Sequence, residues 1–218
     1  MNINVCPIKP DEFADLIAFD TEYLINVMED MGIEKGKCPP PFTYEELKIA
    51  YDKNDILLWL YMNNQLAGYM WRESRPPCFF GAGAAIKKEF YGLGLSQFII
   101  TSTEQMARDA GLNICQLAVI PENGRVLSAY MRHGYRIVNC ILAYCGSDYP
   151  DTFRCIMEKS LEQIPANNKL LDSCEISCTD ETGLKALTDN GYVGVRLIRV
   201  ENKNLGKHKI VFEKYSSN

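Results

Sequence analysis

Histidine and tryptophan are scarce in this 218-residue chain, with two of each. With only His133 and His208, and no Cys-x-x-Cys, the sequence offers no ligand set of the usual zinc spacing, so no metal is expected. A basic excess is also missing. Lys plus Arg number 23 against 28 Asp plus Glu, a net charge of -5, which argues against a nucleic-acid partner. No apolar run reaches the roughly 18 residues that span a bilayer, so no membrane partner is expected. Met1 to Pro10 lacks a basic segment followed by an apolar core, the pattern of a secretory signal. Cysteine is plentiful, at nine, but the count is odd. Cys115, Cys140 and Cys155 sit singly in apolar stretches, where a thiol behaves as a small core group. The expectation is a reducing compartment, the cytoplasm.

What is present is ordinary globular composition, 47% hydrophobic and 23% charged. The charge is uneven: residues 1 to 75 carry 13 Asp and Glu against 7 Lys and Arg. Much of it falls in the first helix, at Asp11, Glu12, Asp15, Asp20, Glu22, Glu29, Asp30 and Glu34. One reading is a solvated helix face; the other is a field that attracts a cationic substrate. Ile3 to Ile8 reads as a strand, and Asp11 as the cap of a helix carrying Phe13, Leu16, Ile17, Tyr23 and Leu24 on one face. Thr43 and Glu46 are spaced as a capping box. Asn63-Asn64 joins two strands as a hairpin. Phe79 to Ile86 is a third strand, followed by a Gly-punctuated turn and a helix closed by Gly111. Ile114 to Ile120, a helix ended by Gly134, and strands from Tyr135 to Tyr144 and Thr152 to Lys159 complete the order. The expected class is α/β, a mixed sheet flanked by helices.

The turn Phe90-Tyr91-Gly92-Leu93-Gly94-Leu95-Ser96 is the segment that points to chemistry. Glycines let backbone N–H groups approach an anion, and a new helix N-terminus adds partial positive charge. It is neither a P-loop nor a dinucleotide fingerprint, because no Gly-Lys-Ser/Thr follows and the third glycine is absent. Ile86 to Ser96 resembles the pyrophosphate motif of GNAT-type N-acetyltransferases, roughly Val-x-Pro-x-x-Arg/Gln-Gly-x-Gly-x-Gly/Ala. Lys88, Tyr91 and Ser96 stand where that motif has Pro, Arg/Gln and Gly/Ala. Asn123, with Tyr130 seven residues on and Gly134-Tyr135 at eleven and twelve, matches a second signature of the family. The resemblance covers about residues 3 to 160.

The resemblance implies the GNAT fold over a domain of residues 1–161. It also implies acetyl-CoA as co-substrate and transfer of the acetyl group to a primary amine of a small molecule or protein. Ile86, Tyr91, Gly92, Leu93, Gly94, Leu95, Ser96 and Asn123 would bind the cofactor, the turn through backbone N–H groups, with Leu93 and Leu95 packed inward. Tyr130 would be the general acid that protonates the departing thiolate. No base is evident, Glu73 being the nearest carboxylate, and neither histidine reads as a catalyst. The alternative is a non-catalytic acyl-CoA sensor or interaction module of the same fold. The partner expected is an amine acceptor, cationic if the acidic helix is a field, and a homodimer is compatible with the chain. Residues 162–218 form a small β-α-β-β extension after a polar linker with Pro165. Its Cys174 to Thr179, Gly191-Tyr192 and Glu213-Lys214 parallel Cys115 to Ile120, Gly134-Tyr135 and Glu158-Lys159. That is the pattern of a degenerate repeat in which Leu187 takes the place of Tyr130.

Overall fold

The computed structural model describes residues 2–34, 37–162, 169–199 and 207–216; most of the expected linker lies outside them. The described residues form ten strands and five α-helices in an α/β fold. Residues 1–26 with 40–115, and 27–39 with 116–218, form two compact units.

In the first unit, β1 (Ile3–Pro7), β2 (Ile56–Met62), β3 (Gln65–Arg75) and β4 (Cys78–Ile86) are neighbours in that order, each pair antiparallel. Asn63 and Asn64 take φ of 49° and 65°, which closes the β2–β3 hairpin. The helices α1 (Phe13–Met31) and α2 (Tyr44–Asp52) pack on the sheet through Phe13, Leu16, Leu47 and Ala50 against Leu57, Trp59, Tyr69 and Trp71. The expected capping box is formed: the Glu46 N–H donates to Thr43 Oγ1, and Glu46 Oε2 accepts the Thr43 N–H at 2.8 Å. Asp11 does not cap α1. It lies inside a 3-10 turn over Pro10–Glu12, and Glu12 Oε2 accepts the Lys9 N–H. The helix α3 (Leu95–Asp109) packs Leu95 and Ile99 on Met62, Ala67, Leu60 and Met70. Met70 points to α3 while its neighbours Tyr69 and Trp71 point to α1 and α2, the alternation a strand covered on both faces requires.

The second unit contains the strand order β5-β7-β6-β9-β10-β8. These are β5 (Ile114–Val119), β6 (Arg136–Ile141), β7 (Arg154–Ser160), β8 (Leu170–Ser177), β9 (Val193–Arg199) and β10 (His208–Tyr215). The order reads the same from either end when β5, β6 and β7 are exchanged for β8, β9 and β10. The helices follow the exchange: α4 (Gly124–Arg132) packs on β9, and α5 (Glu181–Asp189) packs on β6. The caps correspond too. Asn123 Oδ1 accepts the Val126 N–H at 3.1 Å, and Asp180 Oδ1 accepts the Gly183 N–H at 2.9 Å. Gly134 and Gly191 close the two helices at φ of 85° and 77°. Tyr135 N–H donates to Tyr130 O at 3.2 Å and Tyr192 N–H to Leu187 O at 3.1 Å. β6 and β9 meet at Ile137 and Gly194, where a side-chain carbon on Gly194 would lie 2.9 Å from Ile137 Cβ. All nine cysteines are free, and Cys115, Cys140 and Cys155 are core residues as expected.

Candidate functional site

The Gly-rich turn leaves β4 through a 3-10 turn at Lys88–Phe90 and enters α3 with Gly94 at the N-cap. Gly92 and Gly94 have φ of 78° and 86°. Side-chain-bearing residues rarely take this left-handed conformation, and it reverses the chain so that the first turn of α3 opens to solvent. No side chain caps α3, and its first turn holds no acid. The N–H groups of Leu95, Ser96 and Gln97 begin the helix and have no intrahelical acceptor. Together with the helix dipole they form a concentration of unmatched donors suited to an anion. Gly92, Gly94 and Ser96 are exposed, as such a role requires.

The structure refines three of the sequence expectations. The Tyr91 N–H already donates to Lys88 O at 3.1 Å, so it closes the 3-10 turn. Leu95 is buried at 1% exposure, but Leu93 is 42% exposed and packs outward. Ile86 lies beneath the turn, against the clusters that hold Leu95 and Ile99. Lys87 Nζ sits 5.6 Å from the centroid of the Phe19 ring on α1.

In the second unit, Asn123 is buried and spends its carbonyl oxygen on capping α4, which leaves its amide NH₂ as donor. Tyr130 stands on the last full turn of α4, half-buried, its ring edge-on to Tyr135 at 5.0 Å between centroids. His133 Nδ1 donates to Ala129 O, and the buried His208 donates from Nε2 to Pro121 O. A side-chain carbon on Gly124 would lie 2.9 Å from the His208 ring. Both histidines thus serve packing and helix ends.

Sequence reasoning missed three clusters of charge. In the first unit Asp20 is buried and accepts the Tyr69 hydroxyl. Also there, Arg72 is buried at 1% exposure, with Nε 2.7 Å from Thr103 Oγ1 and Nη1 on Trp71 O and Gly83 O. In the second unit Lys37 bridges Glu122 at 3.2 Å and Glu181 at 2.6 Å. Burial works against its charge there, but those two carboxylates prevail and hold Lys37 up at about 12. Beside it, Arg154 donates from Nη1 to Lys37 O and Phe153 O. Glu73, the base candidate from sequence, is paired with Arg75 Nε.

No protein-family model and no curated protein matches the sequence. Solved structures do. An acetyltransferase of the GNAT family from Streptococcus pneumoniae matches at 19% identity and a TM-score of 0.52, over 74% of this chain and 100% of its own. The ribosomal-protein-alanine N-acetyltransferase of Brucella melitensis matches at 12% identity and a TM-score of 0.56, over 72% and 99%. The PaiA N-acetyltransferase of Thermoplasma acidophilum, determined in complex with coenzyme A, matches at 16% identity and a TM-score of 0.54, over 73% and 99%. The chain has the GNAT fold.

About a quarter of the chain lies outside these GNAT matches, which span nearly the whole of each neighbour. Beyond the fold, among the described residues no helix is long and apolar enough to cross a membrane. No group of three or more His, Cys, Asp or Glu among them could hold a metal ion.

Proposed function

We propose that the protein transfers an acetyl group from acetyl-CoA to a primary amine, by direct attack within a ternary complex. The observation that carries this reading is the uncapped, acid-free N-terminus of α3 behind two left-handed glycines. It supplies backbone donors where the GNAT fold takes a pyrophosphate. Gly92, Gly94, Leu95 and Ser96 bind the phosphates, Ile86 and Leu93 flank them, and Tyr91 sets the turn that presents them. Asn123 contributes its amide NH₂ to the cofactor. The neutral amine nitrogen attacks the thioester carbon, the C–S bond breaks, Tyr130 gives its proton to the CoA thiolate, and the proton shed by the new amide nitrogen restores Tyr130.

Residues 162–218 form, in this reading, a degenerate repeat of residues 115–160. The matched caps, closing glycines and mirrored strand order support it. With Leu187 in the place of Tyr130, the repeat carries no second site.

The test is thiol release from acetyl-CoA across a panel of polyamines, amino acids, aminoglycosides and peptides, with calorimetric binding of acetyl-CoA beside it. Turnover with at least one amine is expected. Gly94→Asp, which places a carboxylate at the donor cluster, is expected to weaken acetyl-CoA at least about tenfold, since Asp also strains a left-handed site. Unchanged affinity in a folded Gly94→Asp protein refutes the assignment of the turn. Binding without turnover against every amine favours the acyl-CoA sensor instead.

A further inference from the structure

Most acids of the first helix segment face solvent, among them Asp11, Asp15, Glu22 and Asp30. Asp20 does not: it is 4% exposed and lies on the buried side of α1. A carboxylate there costs desolvation and has to earn its place. Oδ1 accepts the Tyr69 hydroxyl, which leaves Oδ2 for a further proton. Tyr69, on β3, is itself 2% exposed; its backbone pairs with Ala85 of β4, and its side chain reaches toward Gly83 two residues away. A side-chain carbon on Gly83 would lie 3.4 Å from the Tyr69 hydroxyl and 3.0 Å from the Phe42 ring. Glycine therefore brings the backbone of β4 directly over the phenol. Gly81, Ala82, Gly83 and Ala84 are all small and at least partly exposed, between Phe80 and the buried Ala85. Around the pair, the Phe19 ring is 5.8 Å from Tyr69 and the Phe42 ring 6.2 Å, with Phe42 also 5.1 Å from Trp71. Phe19 and Phe42 thus stand edge-on around Tyr69, the hydroxyl partner of the buried carboxylate, and aromatic rings beside a carboxylate suit an ammonium group.

We propose that Asp20, oriented by Tyr69, is the proton acceptor for the incoming amine, and that the acceptor enters as a compact organic ammonium over the small-residue stretch of β4. The proposal rests on the acetyl-transfer reading. The ammonium gives one proton to Asp20 Oδ2 and becomes the neutral nucleophile. Its nitrogen bonds to the thioester carbon, and the C–S bond breaks. The CoA thiolate takes the Tyr130 proton, and the second N–H proton of the new amide restores Tyr130. The proton on Asp20 returns to water.

The environment suits the task. Burial pushes the Asp20 carboxyl up to about 6, against the opposing pull of the Tyr69 hydroxyl. Such a group is ionised at neutral pH yet basic enough to take a proton. The other titratable groups facing the pair are Tyr23 on α1 and Arg72 on β3, both acting on Tyr69, with Tyr61 on β2 and Lys87 after β4 packed nearby.

The experiment measures kcat/KM against pH for the full chain with acetyl-CoA and one accepted amine, together with melting temperature. Asp20→Asn keeps the shape and still accepts the Tyr69 hydroxyl; Tyr69→Phe removes only that bond. The wild type should lose activity as pH falls through about 6. Tyr69→Phe should move this limb upward, because the bond it deletes lowers the Asp20 pKa. Asp20→Asn should abolish the limb and lower kcat/KM about 10²- to 10⁴-fold. It should also melt higher than the wild type at neutral pH, since it no longer buries a charge. A strut would behave oppositely: Asp20→Asn that melts lower, or that keeps kcat/KM within about fivefold with the acid limb in place, overturns the proposal. A Tyr69→Phe profile that superimposes on the wild type overturns it as well. A wild type with no turnover against any amine overturns the acetyl-transfer reading itself, and this proposal with it.

Discussion

Thr103→Val is expected to destabilise the first unit by about 2 kcal/mol, although the two side chains have nearly the same shape. The cost originates at a fault in the sheet. Between β3 and β4 the register slips: Trp71 lies opposite Gly83 but Arg72 opposite Gly81, so β4 carries one extra residue, Ala82. A bulge of this kind turns backbone groups away from the ladder. The buried Arg72 guanidinium takes two of them, with Nη1 2.7 Å from Trp71 O and 2.9 Å from Gly83 O. Its Nε is held by Thr103 Oγ1 at 2.7 Å, and that hydroxyl donates onward to Ile99 O at 2.7 Å. Nη2 has no hydrogen-bond partner among the described residues. Valine removes the acceptor for Nε and leaves a second buried, charged N–H unmatched. A lost hydrogen bond to a charged group is worth roughly 1.5–3 kcal/mol. At about 2–4 °C per kcal/mol for a chain of this size, the melting temperature falls by about 4–8 °C.

Substitutions at Thr103 and Arg72 should not be additive. In an Arg72→Met background the guanidinium is gone, so Thr103→Val should cost under about 0.5 kcal/mol. Trp59 and Trp71 both lie in the first unit's sheet, so urea unfolding read by tryptophan fluorescence reports this unit. Equal costs of Thr103→Val in the two backgrounds would refute the argument, as would a single-variant cost below about 0.5 kcal/mol.

Tyr130→Phe keeps the ring against Tyr135 and removes one hydroxyl. It should lower kcat about 10²- to 10⁴-fold at saturating amine, and turnover within a few-fold of wild type would reduce Tyr130 to packing. A di- or tricationic acceptor should lose kcat/KM as ionic strength rises, more steeply than a monoamine, because Asp11, Asp15, Glu22 and Asp30 are exposed. A flat salt response across the series would assign those acids to solubility alone.

The elements whose formation is local were legible in the sequence. The Thr43–Glu46 capping box, the Asn63-Asn64 hairpin and the Gly-punctuated turn before α3 all depend on residues within a few positions of one another. Their physics is complete in a short window. What the sequence concealed is charge whose partner is remote. Asp20 pairs with Tyr69 and Arg72 with Thr103, and Lys37 meets Glu122 and Glu181. No window of periodicity contains such pairs. Two of them nonetheless left a trace. Asp20 follows Phe13 and Leu16 at helical spacing, so it interrupts the apolar stripe of α1 and does not belong to the polar face with its neighbouring acids. Arg72 closes the run Ala67–Trp71, a charge at the end of a segment otherwise read as buried.

The two matching halves of the second unit show the same division. Helix caps and closing glycines fix an offset of 57 residues between the two halves, from Asn123 to Asp180 and from Gly134 to Gly191. Pairing Cys115 with Cys174 by apolar pattern implies 59, because the strands carry too little pattern to set their own register. Burial explains that weakness. β5 alternates between buried and half-buried positions, as a strand inside a core must, whereas the first four residues of β8 are exposed and none of its eight is fully buried. A strand with little to bury has no need of the alternation that would match it to β5. The helix between the strands is not, since α5 still packs Leu184 and Thr188 inward and needs Asp180 and Gly191 at its ends to do so. The segment that packs is therefore the segment that matches its counterpart, cap for cap and glycine for glycine, with Leu187 at the position equivalent to Tyr130.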